Sequence, residues 1–298
     1  MTKQWLTGFT LIALLGITAC DSGEKKVVIG SKEFTESVIL REMMAALIEA
    51  NSDIKAEQRF LGGTLICFNA LKNGEIDLYA EYTGSALVAI MEQKPMPDPQ
   101  QVYDTVKTKF KEDYQLEWLS PFGFNNTYVL AMRRDHADTL GIKTISGLEA
   151  HKDTLKAGFT HEFIERPDGY PGLTQHYGFT MTQKPKGMDA GLMYKAVAGA
   201  EIDLISAFST DGRISIFDLV MLQDDKQFFP PYYAAPIVQE DTLEKYPELR
   251  EILGKLAGKI DDQTMAQLNY EVDEKQRSAA EVAKNFLTKH GLVSDEGL

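Results

Sequence analysis

The chain has 298 residues and a formal net charge of −13 at pH 7, because 44 Asp and Glu residues outnumber 31 Lys and Arg residues. This acidity argues against a nucleic-acid partner, which needs a basic face, and two cysteines are too few for a disulfide scaffold. Hydrophobic residues make up 44% of the chain and charged residues 25%, which predicts a folded globular protein of one or two domains.

The first twenty residues have the pattern of an export signal. Lys3 precedes an apolar run at 9–17 that is too short to cross a bilayer. The tetrapeptide that ends at Cys20 resembles the bacterial lipobox, in which the cysteine is acylated. We therefore expect residues 1–19 to be a cleaved signal peptide, Cys20 to carry lipid and residues 20–26 to be a tether. The alternative is an ordinary signal peptide that happens to end near a cysteine.

A lipid on Cys20 would determine where the protein acts. The exported protein would have the fold of a soluble protein, and its lipid would anchor it to the outer face of the cytoplasmic membrane. In a Gram-negative cell this is the periplasmic side.

Short strands and amphipathic helices alternate after the tether. Apolar spacing and glycine positions predict strands at 26–31, 54–60 and 76–79 and helices at 36–50 and 64–72. This alternation predicts an α/β fold built around largely parallel sheets.

One sequence pattern occurs twice. Residues 70–83 and 196–210 each run from a helix end through a glycine turn into Glu-Ile-Asp-Leu and then to an aromatic residue, Tyr82 or Phe208. Chance is one explanation, since helix–glycine–strand units are common. The functional explanation is two similar lobes, each presenting an aromatic ring at the carboxyl end of a strand, where open α/β sheets bind ligands.

Two clusters of prolines, glycines and aromatic residues mark where the chain crosses between the lobes. They lie at 118–132 and 228–236. We predict a first lobe of residues 27–124 plus 231–298 and a second lobe of residues 125–230. The segment from Asp241 onward reads as helices that pack on the first lobe.

Signals for enzymatic chemistry are poor. The chain has no Gly-x-Ser-x-Gly elbow, phosphate-binding loop, His-Glu-x-x-His or Cys-x-x-Cys, and its five histidines lack metal-ligand spacing. We therefore expect no cofactor and no metal. An enzyme acting on a small zwitterion remains a rival interpretation, with Glu81 as the nearest general base.

Four aromatic residues occur where strands meet turns or crossings: Tyr82, Tyr128, Phe208 and Tyr232. Aromatic residues usually belong to the core, but a box of rings also has a specific use. A quaternary ammonium has no N–H to donate, so ring faces recognise it through cation–π attraction. We therefore expect these rings to converge on a small cationic ligand.

Seven motifs follow one another along nearly the whole chain after the signal. They are GSKEFTE (30–36), GGT (62–64), IDLYAEYTG (76–84), GFNNTY (123–128), EFIERPDG (162–169), STDGR (209–213) and FPPY (229–232). In this order they resemble the glycine betaine/choline/carnitine substrate-binding proteins of ABC transporters. The resemblance implies a two-lobed periplasmic-binding-protein fold of the second type, with two crossing segments and a ligand between the lobes. It also implies an ABC permease in the membrane as the partner.

The resemblance also implies roles for individual residues. Tyr82, Tyr128 and Tyr232 correspond to the ammonium cage, and Phe208 to its fourth wall. The other positions would line the cage or hold a ligand carboxylate: Asn126 for the cage, and Lys32 and Arg166, aided by Thr83 or Ser85, for the carboxylate. This chain departs from the family pattern at two positions that bear on the identity of the ligand. Many relatives have tyrosine in place of Phe208, and some have an acidic residue in place of Asn126.

We expect a quaternary-ammonium osmolyte such as glycine betaine or choline as the ligand. Ergothioneine, another betaine, is a rival because it also carries a trimethylammonium and a carboxylate. Two further hypotheses are an amino-acid receptor, in which the rings would contribute less to ligand binding, and a surface adhesion protein, which would bind no small molecule.

Overall fold

A computed structural model describes residues 24–294, so the predicted signal peptide, Cys20 and the start of the tether lie outside the described residues. The strands are β1 (Lys26–Ser31), β2 (Lys55–Phe60), β3 (Leu78–Tyr82), β4 (Leu116–Trp118), β5 (Tyr128–Arg133), β6 (Ala157–Phe159), β7 (Lys186–Gly187), β8 (Leu204–Phe208), β9 (Leu219–Met221) and β10 (Ala234–Gln239). The helices are α1 (Thr35–Asn51), α2 (Thr64–Lys72), α3 (Thr83–Ser85), α4 (Pro99–Tyr114), α5 (Arg134–Leu140), α6 (His161–Glu165), α7 (Tyr170–Tyr177), α8 (Ala190–Ala198), α9 (Arg213–Ile216), α10 (Glu240–Lys245), α11 (Leu249–Gly254), α12 (Asp262–Asp273) and α13 (Ala279–Lys289). A π-helical segment (Ala86–Ile90) and a 3-10 helix (Ser146–His151) complete the regular structure.

The strands form two five-stranded sheets that are built alike. Their orders are β2-β1-β3-β10-β4 and β7-β6-β8-β5-β9. In each sheet the central strand has a parallel neighbour on one side and an antiparallel neighbour on the other. The predicted α/β class is therefore confirmed.

The expectation of largely parallel sheets was wrong. Strand β10 is antiparallel to β3 and β4, and strand β5 is antiparallel to β8 and β9. These strands follow the two crossings. Tyr128, the first residue of β5, is opposite Phe208, the last residue of β8, and Ala234 is opposite Tyr82 in the same way. Strands β5 and β10 therefore start at the sheet edge where the central strands β8 and β3 end, and they run antiparallel to those strands.

The repeated sequence pattern corresponds to equivalent strands. β3 and β8 hold the same place in their sheets and end in Tyr82 and Phe208. β3 begins two residues later than predicted. The carboxylate of Asp77, just before it, accepts hydrogen bonds from the backbone N–H of Val28 and the hydroxyl of Thr242, at 2.6 and 3.0 Å.

The two crossing segments run side by side. Asn125 and Tyr233 form an antiparallel bridge. The backbone N–H of Asn126 donates to the carbonyl of Tyr232 at 3.1 Å, and the N–H of Tyr232 donates to Oδ1 of Asn125 at 2.7 Å. The exact lobe limits stay a prediction, but the chain does pass between the sheets through these paired segments.

Helix α1 organises the core of the first lobe. Its apolar face, which includes Ile39, Met43 and Leu47, is fully buried and packs against α11, α12 and α13. The C-terminal helices thus have the scaffold position that the sequence predicted. Within residues 24–294 no helix combines the length and apolar character needed to span a bilayer.

Candidate functional site

A cavity of about 490 Å³ lies between the carboxyl ends of the two central strands, within the range of about 300–1,000 Å³ typical of small-molecule sites. Eight of the predicted site residues line it: Lys32, Tyr82, Ser85, Asn126, Tyr128, Arg166, Phe208 and Tyr232. We call this cavity the aromatic cleft.

Thr83, offered as an alternative to Ser85, is not in the lining of the aromatic cleft. It is fully buried, and its hydroxyl donates to the carbonyl of Pro231 and accepts from the N–H of Tyr233, at 3.0 and 3.1 Å. Thr83 thus joins the end of β3 to a crossing segment, while Ser85 faces the cleft.

The four predicted rings lie close together. The ring centroid of Tyr128 is 4.8 Å from that of Phe208 and 5.8 Å from that of Tyr232, and the second pair is perpendicular. Phe34 completes the set, because its centroid lies 5.9 Å from Tyr82 and 6.0 Å from Phe208. Sequence reasoning assigned Phe34 no role, although it stands two residues after Lys32 in the first motif.

Buried carboxylates hold two of the tyrosine hydroxyls. The hydroxyl of Tyr82 donates to Oε1 of Glu36 at 2.7 Å, and that of Tyr232 donates to Oδ2 of Asp168 at 2.5 Å. Burial, followed by the neighbouring carboxylates, raises the pKa of both tyrosines well above the ordinary value. Both hydroxyls therefore stay protonated and fix the orientation of their rings.

Glu36 is the centre of a buried network that sequence reasoning missed. Besides Tyr82, its carboxylate accepts from Nδ2 of Asn126 at 2.8 Å, Oγ1 of Thr210 at 2.6 Å and Nδ2 of Asn269 at 3.1 Å. Burial raises its pKa, and the hydrogen bonds partly oppose that rise. The sequence showed only an acid in the first turn of a helix, which is an ordinary use of glutamate.

Lys32 has a partner inside the protein. Its ammonium donates to Oε1 of Glu81 at 2.6 Å and to Oγ1 of Thr64 at 2.9 Å. Glu81 is fully buried and also accepts from the hydroxyl of Tyr79 and the backbone N–H of Tyr82, at 2.8 and 2.6 Å. The charge of Lys32 is therefore already balanced before any ligand arrives.

Arg166 is paired in the same way and also reaches across the cleft. Its guanidinium donates twice to Asp168, at 2.7 and 2.6 Å, and once to Glu162 at 3.0 Å. It also donates to the hydroxyls of Ser85 and Thr64 in the first lobe, at 3.4 and 3.5 Å. These bonds link the two sides of the cleft.

Hydrogen-bond donors remain beside both cations. Ser85 and Thr64 accept with their oxygens and keep their own O–H protons to donate, and the ammonium of Lys32 has three N–H groups, of which two are engaged. Thr64 also begins α2, and a helix N-terminus favours negative charge. This corner can receive a carboxylate. Thr64 was missed as a site residue, and the signal was a Gly-Gly-Thr turn that precedes a helix.

Comparisons with known proteins agree with the motifs. Residues 25–289 match the family model described as the substrate-binding domain of ABC-type glycine betaine transport systems. The carnitine transport binding protein OpuCC of Listeria monocytogenes is 34% identical over 302 residues, which cover 97% of this chain and 98% of the relative. The ergothioneine transport permease/ergothioneine binding protein EgtU of Helicobacter pylori is 38% identical over 271 residues, but these cover 90% of this chain and 48% of EgtU.

The fold is also similar to solved structures. A crystal structure of a glycine betaine/carnitine/choline ABC transporter superposes with a TM-score of 0.77 at 34% identity, covering 91% of this chain and 99% of the other. The predicted periplasmic-binding-protein fold is confirmed. Members of the matched family are extracytoplasmic binding proteins of transport systems. The chain therefore belongs to the family of substrate-binding domains of ABC-type glycine betaine transport systems.

Proposed function

We propose that this protein captures a quaternary-ammonium osmolyte, such as glycine betaine or choline, and delivers it to an ABC permease without catalysing a reaction. The observation that carries the proposal is the convergence of Tyr82, Tyr128, Phe208 and Tyr232 on one cleft. They come from both sheets and the second crossing, so closure of the lobes would complete the box.

The rings suit a ligand that cannot donate hydrogen bonds. Each favourable contact between a ring face and a cation contributes roughly 0.5–2 kcal/mol, depending on desolvation. Three or four contacts can reach about micromolar affinity after the ordering costs of binding. A ligand carboxylate would lie beside Lys32, Thr64 and Ser85, with Arg166 behind them.

The engagement of Glu81 argues against an enzyme. A general base needs a free lone pair directed at a substrate proton. The carboxylate of Glu81 already accepts from Lys32, Tyr79 and the backbone N–H of Tyr82, and Glu81 does not line the cleft. Assays of product formation from choline and betaines test this point, because any turnover would favour the enzyme.

Ergothioneine is the alternative ligand. The similarity to EgtU supports it, and its trimethylammonium and carboxylate could use the same rings and donors. The two candidates differ in bulk, since ergothioneine adds an imidazole-2-thione ring.

We also propose that a lipid on Cys20 holds the protein at the outer face of the cytoplasmic membrane. The lipobox-like tetrapeptide supports this. Replacement of Cys20 by serine should release the protein from the membrane fraction and abolish labelling with a radioactive fatty acid. Retention of the label would contradict the assignment.

A thermal-shift panel tests the proposed function. Glycine betaine, choline, carnitine, proline betaine and ergothioneine are compared, because a ligand at 100 times its Kd adds about 2.7 kcal/mol to the free energy of unfolding. A rise in Tm with at least one quaternary ammonium supports the proposal, and the size of each rise at equal ligand concentration ranks the candidates. An unchanged Tm with all five, at millimolar concentrations, would contradict it.

A further inference from the structure

Phe34 lies between the aromatic cleft and a smaller cavity of about 200 Å³. We call the smaller space the side cavity. On the side away from the cleft it is lined by Tyr194 of α8 and by Asn269 and Asp273 of α12. Phe34 and Phe208 line both the aromatic cleft and the side cavity, so their rings form part of the wall between the two spaces.

The ring of Phe34 packs between one ring from each sheet. Its centroid is 5.9 Å from that of Tyr82, at the end of β3, and 6.0 Å from that of Phe208, at the end of β8. The planes of Phe34 and Phe208 are within 19° of each other. Phe34 is only partly buried, whereas Tyr82, Tyr128 and Tyr232 are at most 5% exposed. Phe34 thus completes the wall where the two lobes meet.

The place of Phe34 in the chain is unusual for a phenylalanine. Phe34 is the N-cap of α1, because its backbone is extended and its carbonyl accepts from the N–H of Val38 at 3.2 Å. Serine, threonine, aspartate and asparagine are preferred at an N-cap, since their oxygens accept from a free N–H of the first turn.

The other long helices follow that preference. Among the described residues, the three other helices of more than ten residues are α4, α12 and α13, and they begin with the side-chain caps Asp98, Asp261 and Ser278. Helix α1 has no side-chain cap hydrogen bond and has a ring at the cleft instead. Such departures from a local rule are typical of functional sites.

We propose that Phe34 is a specificity-determining residue, whose ring closes the aromatic cleft toward the side cavity and so excludes head groups larger than trimethylammonium. This rests on the proposed function and adds a size limit to it. A small side chain at this position would join the side cavity to the cleft. The extra carbon atoms of a bulkier head group could then enter the side cavity instead of meeting the ring.

A pair of betaines that differ only in head-group size tests the proposal. Glycine betaine and N,N,N-triethylglycine have the same charges and the same carboxylate, but the second carries three more methylene groups. Calorimetry on the mature protein should show glycine betaine binding at least tenfold tighter, because a single methylene that does not fit can cost about that factor. Equal affinities in the parent protein would overturn the proposal before any variant is made.

Truncation of the ring should remove the size limit. Phe34→Ala should reduce the preference for glycine betaine over triethylglycine at least tenfold, because the side cavity then opens into the cleft. A Phe34→Ala protein that still binds glycine betaine with the parental preference would contradict the role of Phe34. If the alanine variant does not fold, Phe34→Val takes its place and should reduce the preference about threefold or more, with the same contradicting result.

Two further variants separate a closed wall from an aromatic face. Phe34→Leu keeps an apolar side chain in the wall, so it should retain most of the preference while both affinities fall by a few-fold at most. A leucine variant that loses the preference as completely as the alanine variant would assign the effect to the ring face and refute the size limit. Phe60→Ala is the matched control, since Phe60 is 61% exposed and lines neither space, and an equal loss of preference there would also refute it.

The two proposals can fail separately in this series. If glycine betaine binds to the parent and to the Phe34 variants with an unchanged preference, the proposed function stands and the size limit is wrong. If no quaternary ammonium binds to the parent, the proposed function fails and the size limit fails with it.

Discussion

The aromatic side and the charged side of the cleft differ in what they have left to offer a ligand. Each cation on the charged side is already paired with a buried carboxylate, Lys32 with Glu81 and Arg166 with Asp168. On the aromatic side, buried carboxylates accept hydrogen bonds from the hydroxyls of Tyr82 and Tyr232, and the rings line the cavity. On the proposed function, we expect the rings to supply most of the attraction for the ligand and the charged side to supply selectivity through its spare donors.

On both sides of the cleft, a buried carboxylate orients the side chain that we propose contacts the ligand. A ring whose hydroxyl is hydrogen-bonded to a buried carboxylate is already oriented, so little ordering remains at binding. A cation held by a carboxylate loses most of its net charge. The following predictions test this difference, from the largest effect to the smallest.

Loss of a ring should have the largest effect. Tyr82→Ala and Tyr232→Ala should each weaken the binding of glycine betaine and choline at least tenfold, because one wall of the cage disappears. The matched controls, Tyr82→Phe and Tyr232→Phe, keep the rings and should lose only a few-fold. If calorimetry shows that the alanine and phenylalanine variants bind both ligands equally weakly, the hydroxyls rather than the rings determine the affinity. That result would contradict the difference drawn between the aromatic and charged sides.

Loss of a cation should distinguish the two ligands. Lys32→Ala and Arg166→Ala should weaken glycine betaine several-fold more than choline, because choline has no carboxylate to lose contact with. Arg134→Ala serves as the control, since Arg134 pairs with Asp218 on the surface. Equal losses for both ligands would show that the cations act only through the fold of the cleft.

Loss of a hydroxyl should have a smaller effect of the same kind. Ser85→Ala and Thr64→Val should each weaken glycine betaine by about two- to fivefold, the size expected for one hydrogen bond. Thr64→Ser keeps the donor and should bind nearly as the parent does. If Thr64→Val binds glycine betaine unchanged, the spare donors do not receive the carboxylate.

Protonation of Glu36 should affect stability rather than the ligand contact. Burial raises its pKa above the ordinary 4.5, so the folded state holds this proton more tightly than the unfolded state. The stabilisation is complete below about pH 4.5 and is lost as the pH rises through the folded pKa. Urea unfolding at several pH values should show the parent losing stability relative to Glu36→Gln across that window. A constant difference would contradict the shift.

Local sequence signals predicted the parts of the site that depend on local structure. The repeated strand endings identified Tyr82 and Phe208, and the turn clusters identified Tyr128 and Tyr232. Strand direction was missed, because the hydrophobic pattern of a strand is the same in both directions.

The network around Glu36 depends on contacts that no local pattern carries. Its partners include Tyr82, 46 residues away, and Asn269, 233 residues away. The pairing of Lys32 with Glu81 across 49 residues was missed for the same reason. Ser85 and Thr83 could not be separated either, because β3 ends at Tyr82 and both residues lie in the short helix α3 that follows, whose turn decides which hydroxyl faces the cleft.

The most direct test of the account compares glycine betaine with 3,3-dimethylbutanoate by calorimetry. The two molecules have the same shape and the same carboxylate, but a carbon atom replaces the cationic nitrogen. If the rings bind through cation–π attraction, glycine betaine should bind at least tenfold tighter. Equal affinity for the two would contradict the account, because the cleft would then recognise only an apolar shape beside a carboxylate.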